Sequence, residues 1–216
     1  MLFSQFRQQI AKIQNLPLPG EQAHVEMAPI ERILELKKFA KAKENARKAA
    51  VMVLFYPNPD VETHFVLILR KSYKGVHSAQ VGFPGGKREK EDANYQETAL
   101  RETFEEVGVH PESVEVLKEL TEVYIPPSNF FVQPFIGVSD KYPNFVKQDE
   151  EVEAIIEVPL REFLDETTLI TRTLTTSYAT NIEVPAFNLQ EHVVWGATAM
   201  MLNEVRALLK QTLQTC

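Results

Sequence analysis

Three carboxylates crowd one short run of this chain. Glu102, Glu105 and Glu106 fall within Arg101–Gly108, downstream of a Gly85-Gly86 pair and a charged loop from Lys87 to Asp92. Carboxylate oxygens on one rigid face suit a hard divalent cation such as Mg²⁺ or Mn²⁺, and an ion held there clamps phosphate oxygens and activates water. The run reads as a helix, with Asn94 and Glu97 forming a capping box and Gly108 ending it in the left-handed conformation. With Leu100 set at 0°, Phe104 falls at about 40°, Val107 at about 340° and Thr103 at about 300°, which makes the expected core stripe. Glu102 lies at about 200°, Glu106 at about 240° and Glu105 at about 140°, all opposite that stripe. Glu102 and Glu106, one turn apart, are the best-aligned pair to share an ion. A solvated acidic face is the plainer reading of a bare Glu-x-x-Glu-Glu, and the flanking glycines and arginine count against it.

The elements that must position this helix follow from periodicity. Phe3, Phe6, Ile10 and Ile13 predict an amphipathic first helix ended by Leu16-Pro17-Leu18-Pro19-Gly20. A second helix is expected from about Ile30 to Lys48, its later half basic and read as a solvated face. Strands are expected at Val51–Tyr56, Phe65–Leu69, Val114–Leu117, Phe131–Val138 and Ala154–Val158. Pro159 opens a short helix, Thr180–Leu189 is extended and broken by Pro185, and Val194–Leu213 is a closing helix with Met201, Val205, Leu208 and Leu209 on one side. Interleaved strands and helices give an α/β domain over 49–216, preceded by an N-terminal helical extension over 1–48 that is an appendage or a dimer element.

Composition narrows the class. The 216 residues are 44% hydrophobic, ample for a core. A net charge of −7 argues against nucleic acid as the main partner without excluding a phosphorylated ligand, since a bound metal reverses the local sign. The single cysteine, Cys216, permits no intrachain disulfide or cysteine-based metal site. The first residues lack a signal-peptide apolar run, and the longest apolar run, Ala49 to Tyr56, is too short for a membrane span. The expectation is a cytoplasmic protein with no membrane partner.

The carboxylate helix with its preceding Gly-Gly resembles the Nudix box, Gly-x5-Glu-x7-Arg-Glu-aliphatic-x-Glu-Glu-x-Gly-aliphatic, whose bearers hydrolyse nucleoside diphosphates linked to another moiety. The resemblance implies a Nudix-type α/β/α sandwich with a mixed sheet. It implies Mg²⁺ or Mn²⁺ bound by Glu102 and Glu106, with Glu105 as a further ligand and the Gly86 carbonyl as an additional one. The box departs from the pattern in its loop, where the Arg101-Glu102 pair comes one residue late. The upstream acid falls on Asp92 counted from Gly86 and on Ala93 counted back from Arg101, and Thr103 stands where an aliphatic residue is usual.

A second stretch is similar to the extra motif of coenzyme A pyrophosphatases: Leu67-Ile68-Leu69-Arg70-Lys71-Ser72, then Gln80-Val81-Gly82-Phe83-Pro84-Gly85-Gly86-Lys87. Asp149-Glu150-Glu151-Val152 and Val194-Trp195-Gly196-Ala197-Thr198-Ala199 agree with it, so the likeness runs from about Ala49 to Leu209. Lys71 stands for the first motif arginine, Lys74 is nearest to the second, and Ala79 replaces the motif glycine. The resemblance implies water attack on the pyrophosphate of coenzyme A, giving 3′,5′-ADP and 4′-phosphopantetheine, with Glu105, Glu150 or Glu151 as general base. Arg70 and Lys87 are the candidates to hold phosphate oxygens, with surface ion pairs as the alternative. Phe83 reads as core and His77 as a turn residue. The ligand is a small nucleotide diphosphate derivative, coenzyme A favoured; a homodimer stays open. Two alternatives are a Nudix pyrophosphatase for ADP-ribose, NADH or nucleoside triphosphates, and a non-catalytic nucleotide-sensing Nudix domain. The latter is expected to have lost metal carboxylates that this chain keeps.

Overall fold

Alternation along one long strand divides the molecule into two layers of side chains. β1 (Arg47–Pro57) sends Val51, Val53 and Phe55 to one face and Met52, Leu54 and Tyr56 to the other, as the two-residue period of a strand requires. The computed structural model describes residues 1–29, 32, 45–71, 80–175 and 180–213. β1 pairs parallel with β7 (Phe130–Val138) and antiparallel with β2 (Thr63–Arg70) and β4 (Gly85–Lys87). Antiparallel additions extend the sheet: β3 (Val81–Gly82) and β8 (Val152–Pro159) on β2, and β5 (Glu115–Glu119) and β6 (Val123–Ile125) on β7. The sheet is therefore mixed, and helices cover both faces, the α/β/α arrangement expected.

On the Met52 face lies the carboxylate helix, α3 (Tyr95–Val107), through Ala99 and Val107. On the Val51 face lie α1 (Phe3–Ile10), α2 (Glu21–Glu26) and the C-terminal α5 (Gly196–Leu213). Phe3, Phe6, Ile10 and Ile13 are buried as their spacing predicts, with the Phe6 and Phe55 ring centroids 5.0 Å apart. Short α4 (Leu160–Leu164) follows Pro159 and packs Phe163 against Phe65 and Phe187. A small antiparallel sheet, in the order β11 (His192–Trp195), β10 (Ile182–Leu189), β9 (Leu169–Leu174), adds Phe187, Leu189 and Val194 to the same core.

A seam of buried polar groups joins the two ends of the chain. Glu204 on α5 accepts from His24 Nε2 at 3.0 Å, from Thr121 Oγ1 at 2.6 Å, and from the backbone N–H groups of Thr121 and Gly20. The adjacent Asn203 donates to the Ala23 carbonyl at 2.8 Å and to Glu26 at 2.9 Å.

Four expectations are corrected. Arg47 and Lys48 begin β1 instead of ending a helix; residues 30, 31 and 33–44 of that expected helix lie outside the described residues, as do Ser72, Lys74, His77, Ala79 and Cys216. Pro185 does not break its strand. It pairs with Thr171 of β9 beyond the point where β11 begins to pair, so β10 has a partner on one side only there. His192–Trp195 is a strand, and the closing helix starts at Gly196, whose positive φ of 66° turns the chain. The fourth correction, to the facing of α3, belongs to the site.

Candidate active site

α3 is built as its sequence predicts at both ends. Asn94 Oδ1 accepts from Glu97 N at 2.9 Å, the Glu97 carboxylate accepts from Ala93 N at 2.8 Å, and Gly108 closes the helix in the left-handed region, donating to the Phe104 carbonyl. Its rotation about its own axis differs from the hydrophobic wheel. Glu106 is only 2% exposed, whereas Phe104 is 42% exposed and stacks on His110 at 4.7 Å. The three carboxylates thus do not all oppose the core. Glu106 points inward, Glu102 is largely covered, and Glu105 is exposed.

Polar partners at the β4 turn explain the inward glutamate. Gly85 N–H donates to Glu106 Oε2 at 2.7 Å and Arg70 Nη1 donates to Oε1 at 3.0 Å, while Arg70 Nη2 donates to the Gly85 carbonyl at 2.8 Å. Arg70, expected to hold phosphate oxygens, is here tied to Glu106. The two glycines allow this approach. A Cβ on Gly85 would lie 2.4 Å from the Ala50 carbonyl oxygen, and one on Gly86 would lie 2.4 Å from Glu102 Oε2.

Arg101 organises the outer acids. It grips Asp92 with Nε and Nη2 at 2.9 and 3.0 Å, Nη1 donates to both Glu102 and Glu105 at 3.0 Å, and Nη2 also reaches the Lys87 carbonyl at 3.1 Å. Asp92 additionally accepts from Thr98 Oγ1 and Glu89 N. The acid counted from Gly86, Asp92 and not Ala93, is therefore the arginine's partner. That hydrogen bond from Arg101 holds the Asp92 carboxyl well below the usual carboxylate range although burial opposes it.

Glu106 behaves in the opposite way. Burial pushes its carboxyl up to about 7, outweighing Arg70 and the Gly85 N–H, and the charges of Glu102 and Glu151 push in the same direction. Burial likewise raises Glu102; Arg101 opposes this, and Glu105 and Glu151 add to it. Glu151 is exposed, but its charge reaches both helix carboxylates, which brings it into the site. Glu150 is exposed in the same turn, and the N–H groups of both are held by Gln148 Oε1.

Among the described residues no three carboxylate, imidazole or thiol groups converge on one point, and guanidinium groups donate to oxygens of Glu102, Glu105 and Glu106. The donor set nonetheless fits a divalent cation. The negative charges of Glu102 and Glu151 bear on Glu106, those of Glu105 and Glu151 bear on Glu102, all are oxygen donors, and a side-chain-free Gly86 lies against Glu102.

Beside Gly85 and Gly86, on the Val51 face, opens a cleft of about 370 Å³. Its walls include Ile125, Phe130, Trp195 and Met201, and its charged lining groups are Arg32, Arg70 and Lys87, with no carboxylate among the described lining residues. Phe83 is buried behind it, as expected. Sequence reasoning missed Arg32 and Phe130, and it quoted Trp195 within a family likeness without placing it in a site. They are far apart in the chain, and nothing in their spacing marks them as neighbours.

The NUDIX domain model matches residues 46–178. The chain belongs to the Nudix family. The uncharacterized Nudix hydrolase NudL of Pectobacterium atrosepticum is 34% identical over 185 residues, covering 80% of this chain and 88% of the relative. The peroxisomal coenzyme A diphosphatase ndx-8 of Caenorhabditis elegans is 27% identical over 174 residues, covering 80% and 73%. Among solved structures, the Nudix hydrolase RenU of M. smegmatis superposes with a TM-score of 0.52 at 17% identity over 77% of this chain and 87% of that one. A MutT/nudix family protein of Enterococcus faecalis superposes with a TM-score of 0.52 at 15% identity over 91% and 76%. As a Nudix hydrolase the protein is a pyrophosphatase, acting on a phosphoanhydride. No helix among the described residues is long and apolar enough to cross a membrane.

Proposed function

We propose that this Nudix enzyme cleaves the pyrophosphate of coenzyme A or its derivatives to 3′,5′-ADP and 4′-phosphopantetheine. The observation that carries the reading is the cleft at the Gly85-Gly86 edge, cationic through Arg32, Arg70 and Lys87, apolar on its walls, and free of carboxylates among the described residues. It suits a ligand with several phosphates and a partly apolar arm. The likeness to the coenzyme A diphosphatase ndx-8 supports the same substrate.

In this reading Glu102, Glu106 and the Gly86 carbonyl hold Mg²⁺ or Mn²⁺, with Glu105 as a further ligand. The ion supplies neutralisation of phosphate oxygens and a lowered pKa for a nearby water. Arg101 fixes Glu102 and Glu105 through its Asp92 anchor. Arg70, which lies at the Glu106 carboxylate, and Lys87 would receive phosphate oxygens. Of the candidate bases Glu105, Glu150 and Glu151, Glu151 is favoured: its charge reaches Glu102 and Glu106, and among the described residues no guanidinium occupies it as Arg101 occupies Glu105. Residues 1–48 are an extension to the domain over 49–216, and Arg32 of that extension lines the cleft.

Mass spectrometry of products from coenzyme A with Mg²⁺ or Mn²⁺ tests this. The expected masses are those of 3′,5′-ADP and 4′-phosphopantetheine. Turnover of ADP-ribose, NADH or nucleoside triphosphates far above that of coenzyme A would overturn the substrate, and no turnover of any of them would favour a sensing role.

A further inference from the structure

The loop that carries Glu150 and Glu151 is fastened to the carboxylate helix. A helix ends with carbonyls that no residue of its own can satisfy. At the C-terminus of α3 two of these are taken by the loop: Val146 N–H donates to the Val107 carbonyl at 3.0 Å, and Gln148 N–H donates to the Glu106 carbonyl at 3.1 Å. Gly108 makes room for this approach, since a Cβ there would lie 2.8 Å from that of Val146. The Gln148 backbone is thus bonded to the residue whose side chain is the buried acid of the site.

The Gln148 side chain holds the other end of the turn. Its Oε1 accepts from Glu150 N–H at 2.6 Å and from Glu151 N–H at 2.7 Å, and the Gln148 carbonyl accepts from Val152 N–H at 3.0 Å. One residue therefore bonds α3 through its backbone and Glu151 through its amide. From the sheet, Lys71 N–H donates to the Glu151 carbonyl at 2.9 Å, next to Arg70, which holds Glu106. Glu151 is a long, exposed side chain, and anchoring its backbone on both sides limits the positions its carboxylate can take. Its charge is among those that push the Glu102 and Glu106 carboxyls up, as a carboxylate kept near both must do. The bond from Val152 closes the turn without the amide, so the two bonds to Oε1 add orientation to closure. A neutral amide oxygen supplies them without a further negative charge in a site already rich in carboxylates.

We propose that Gln148 is a positioning residue for hydrolysis: it sets the backbone of Glu151 against α3 so that the Glu151 carboxylate meets the attacking water. The proposal rests on the reading of Glu151 as general base and does not depend on which diphosphate is cleaved. A general base works only within hydrogen-bond reach of the proton it takes, and a small misplacement is costly in rate.

The test is a double-mutant cycle in kcat for coenzyme A at saturating Mg²⁺, with ADP-ribose in its place should coenzyme A not turn over. Glu151→Gln is expected to lower kcat about 10²-fold or more. Gln148→Met, close in size but without the acceptor, should lower kcat about tenfold with KM and the melting temperature little changed. Gln148→Asn, whose shorter amide reaches N–H groups two and three residues on as an Asx turn or helix cap does, should stay within about threefold of the wild type. In the Glu151→Gln background Gln148→Met should cost less than about twofold, because the residue it positions is already gone. Near-normal kcat for Glu151→Gln overturns the base assignment and this proposal together. A slow Glu151→Gln enzyme beside an unimpaired Gln148→Met, a loss confined to KM, or an equal loss in both backgrounds overturns the role of Gln148 alone. Should Gln148→Met not fold, amide exchange in the wild type decides: the Glu150 and Glu151 N–H groups are expected to exchange about tenfold or more slowly than in a free chain, and free-chain exchange overturns the proposal.

Discussion

Two buried glutamates in this molecule meet opposite fates. Glu204, 0% exposed on α5, pays the desolvation of a buried charge, yet His24 and Thr121 hold its carboxyl below the ordinary range. Glu106 on α3 has one backbone donor and one guanidinium, faces the charges of Glu102 and Glu151, and is raised to about 7. Burial is nearly the same; the supply of donors and the sign of the neighbours differ. A carboxylate surrounded by donors holds a fold together. One surrounded by other carboxylates is a place for a cation.

Removing each charge breaks the comparison in a different way. Glu106→Gln is expected to cost on the order of 10³-fold or more in metal-dependent turnover with the thermal unfolding midpoint little changed, as read by steady-state kinetics beside a melting curve. Near-normal turnover with Mg²⁺ would remove Glu106 from the ligand set. Glu204→Ala should do the reverse. It strands His24 and the Thr121 donors and is expected to destabilise by about 3 kcal/mol, measured by denaturant unfolding, while the folded fraction keeps its kcat. A loss of kcat without loss of stability would make the seam part of the catalytic machinery.

Acidity sharpens the contrast with a smaller effect. The folded Glu106 carboxyl is raised from its ordinary 4.5 to about 7, so the metal-free fold gains from its protonation. That stabilisation is fully present below about 4.5 and is lost as pH rises through about 7. A cation needs the deprotonated form, so Mg²⁺ affinity by calorimetry should fall up to about tenfold per pH unit below about 7 and level off above it. Affinity independent of pH between 5 and 8 would show that Glu106 does not hold the ion.

The same pair shows what the sequence can and cannot express. The caps of α3, the strands and the first helix are legible because they rest on local chemistry and burial of apolar groups. The wheel placed Phe104 inside and Glu106 outside because it sorts residues by polarity. The structure reverses them because Gly85 and Arg70, 21 and 36 positions away, supply hydrogen bonds no local pattern reveals. Asp92 was visible by counting, and its role became definite only when Arg101 was seen to grip it. The cleft was invisible for the same reason: Arg32, Phe130 and Trp195 meet through topology alone. Exposed β9 was missed because its outward positions leave little apolar alternation to read.

The seam between the chain's two ends has a consequence for biosynthesis. Phe3, Phe6 and Ile10 share their core with Leu202, Val205 and Leu209 of α5, and His24 meets Glu204 across a sequence separation of 180 residues, so α5 is synthesised long after the residues that need it. Until α5 is made, that apolar stripe has an incomplete shelter, and exposed apolar surface of this kind favours aggregation. Native contacts of such sequence separation also slow the final closure, so the two layers on this face mature together.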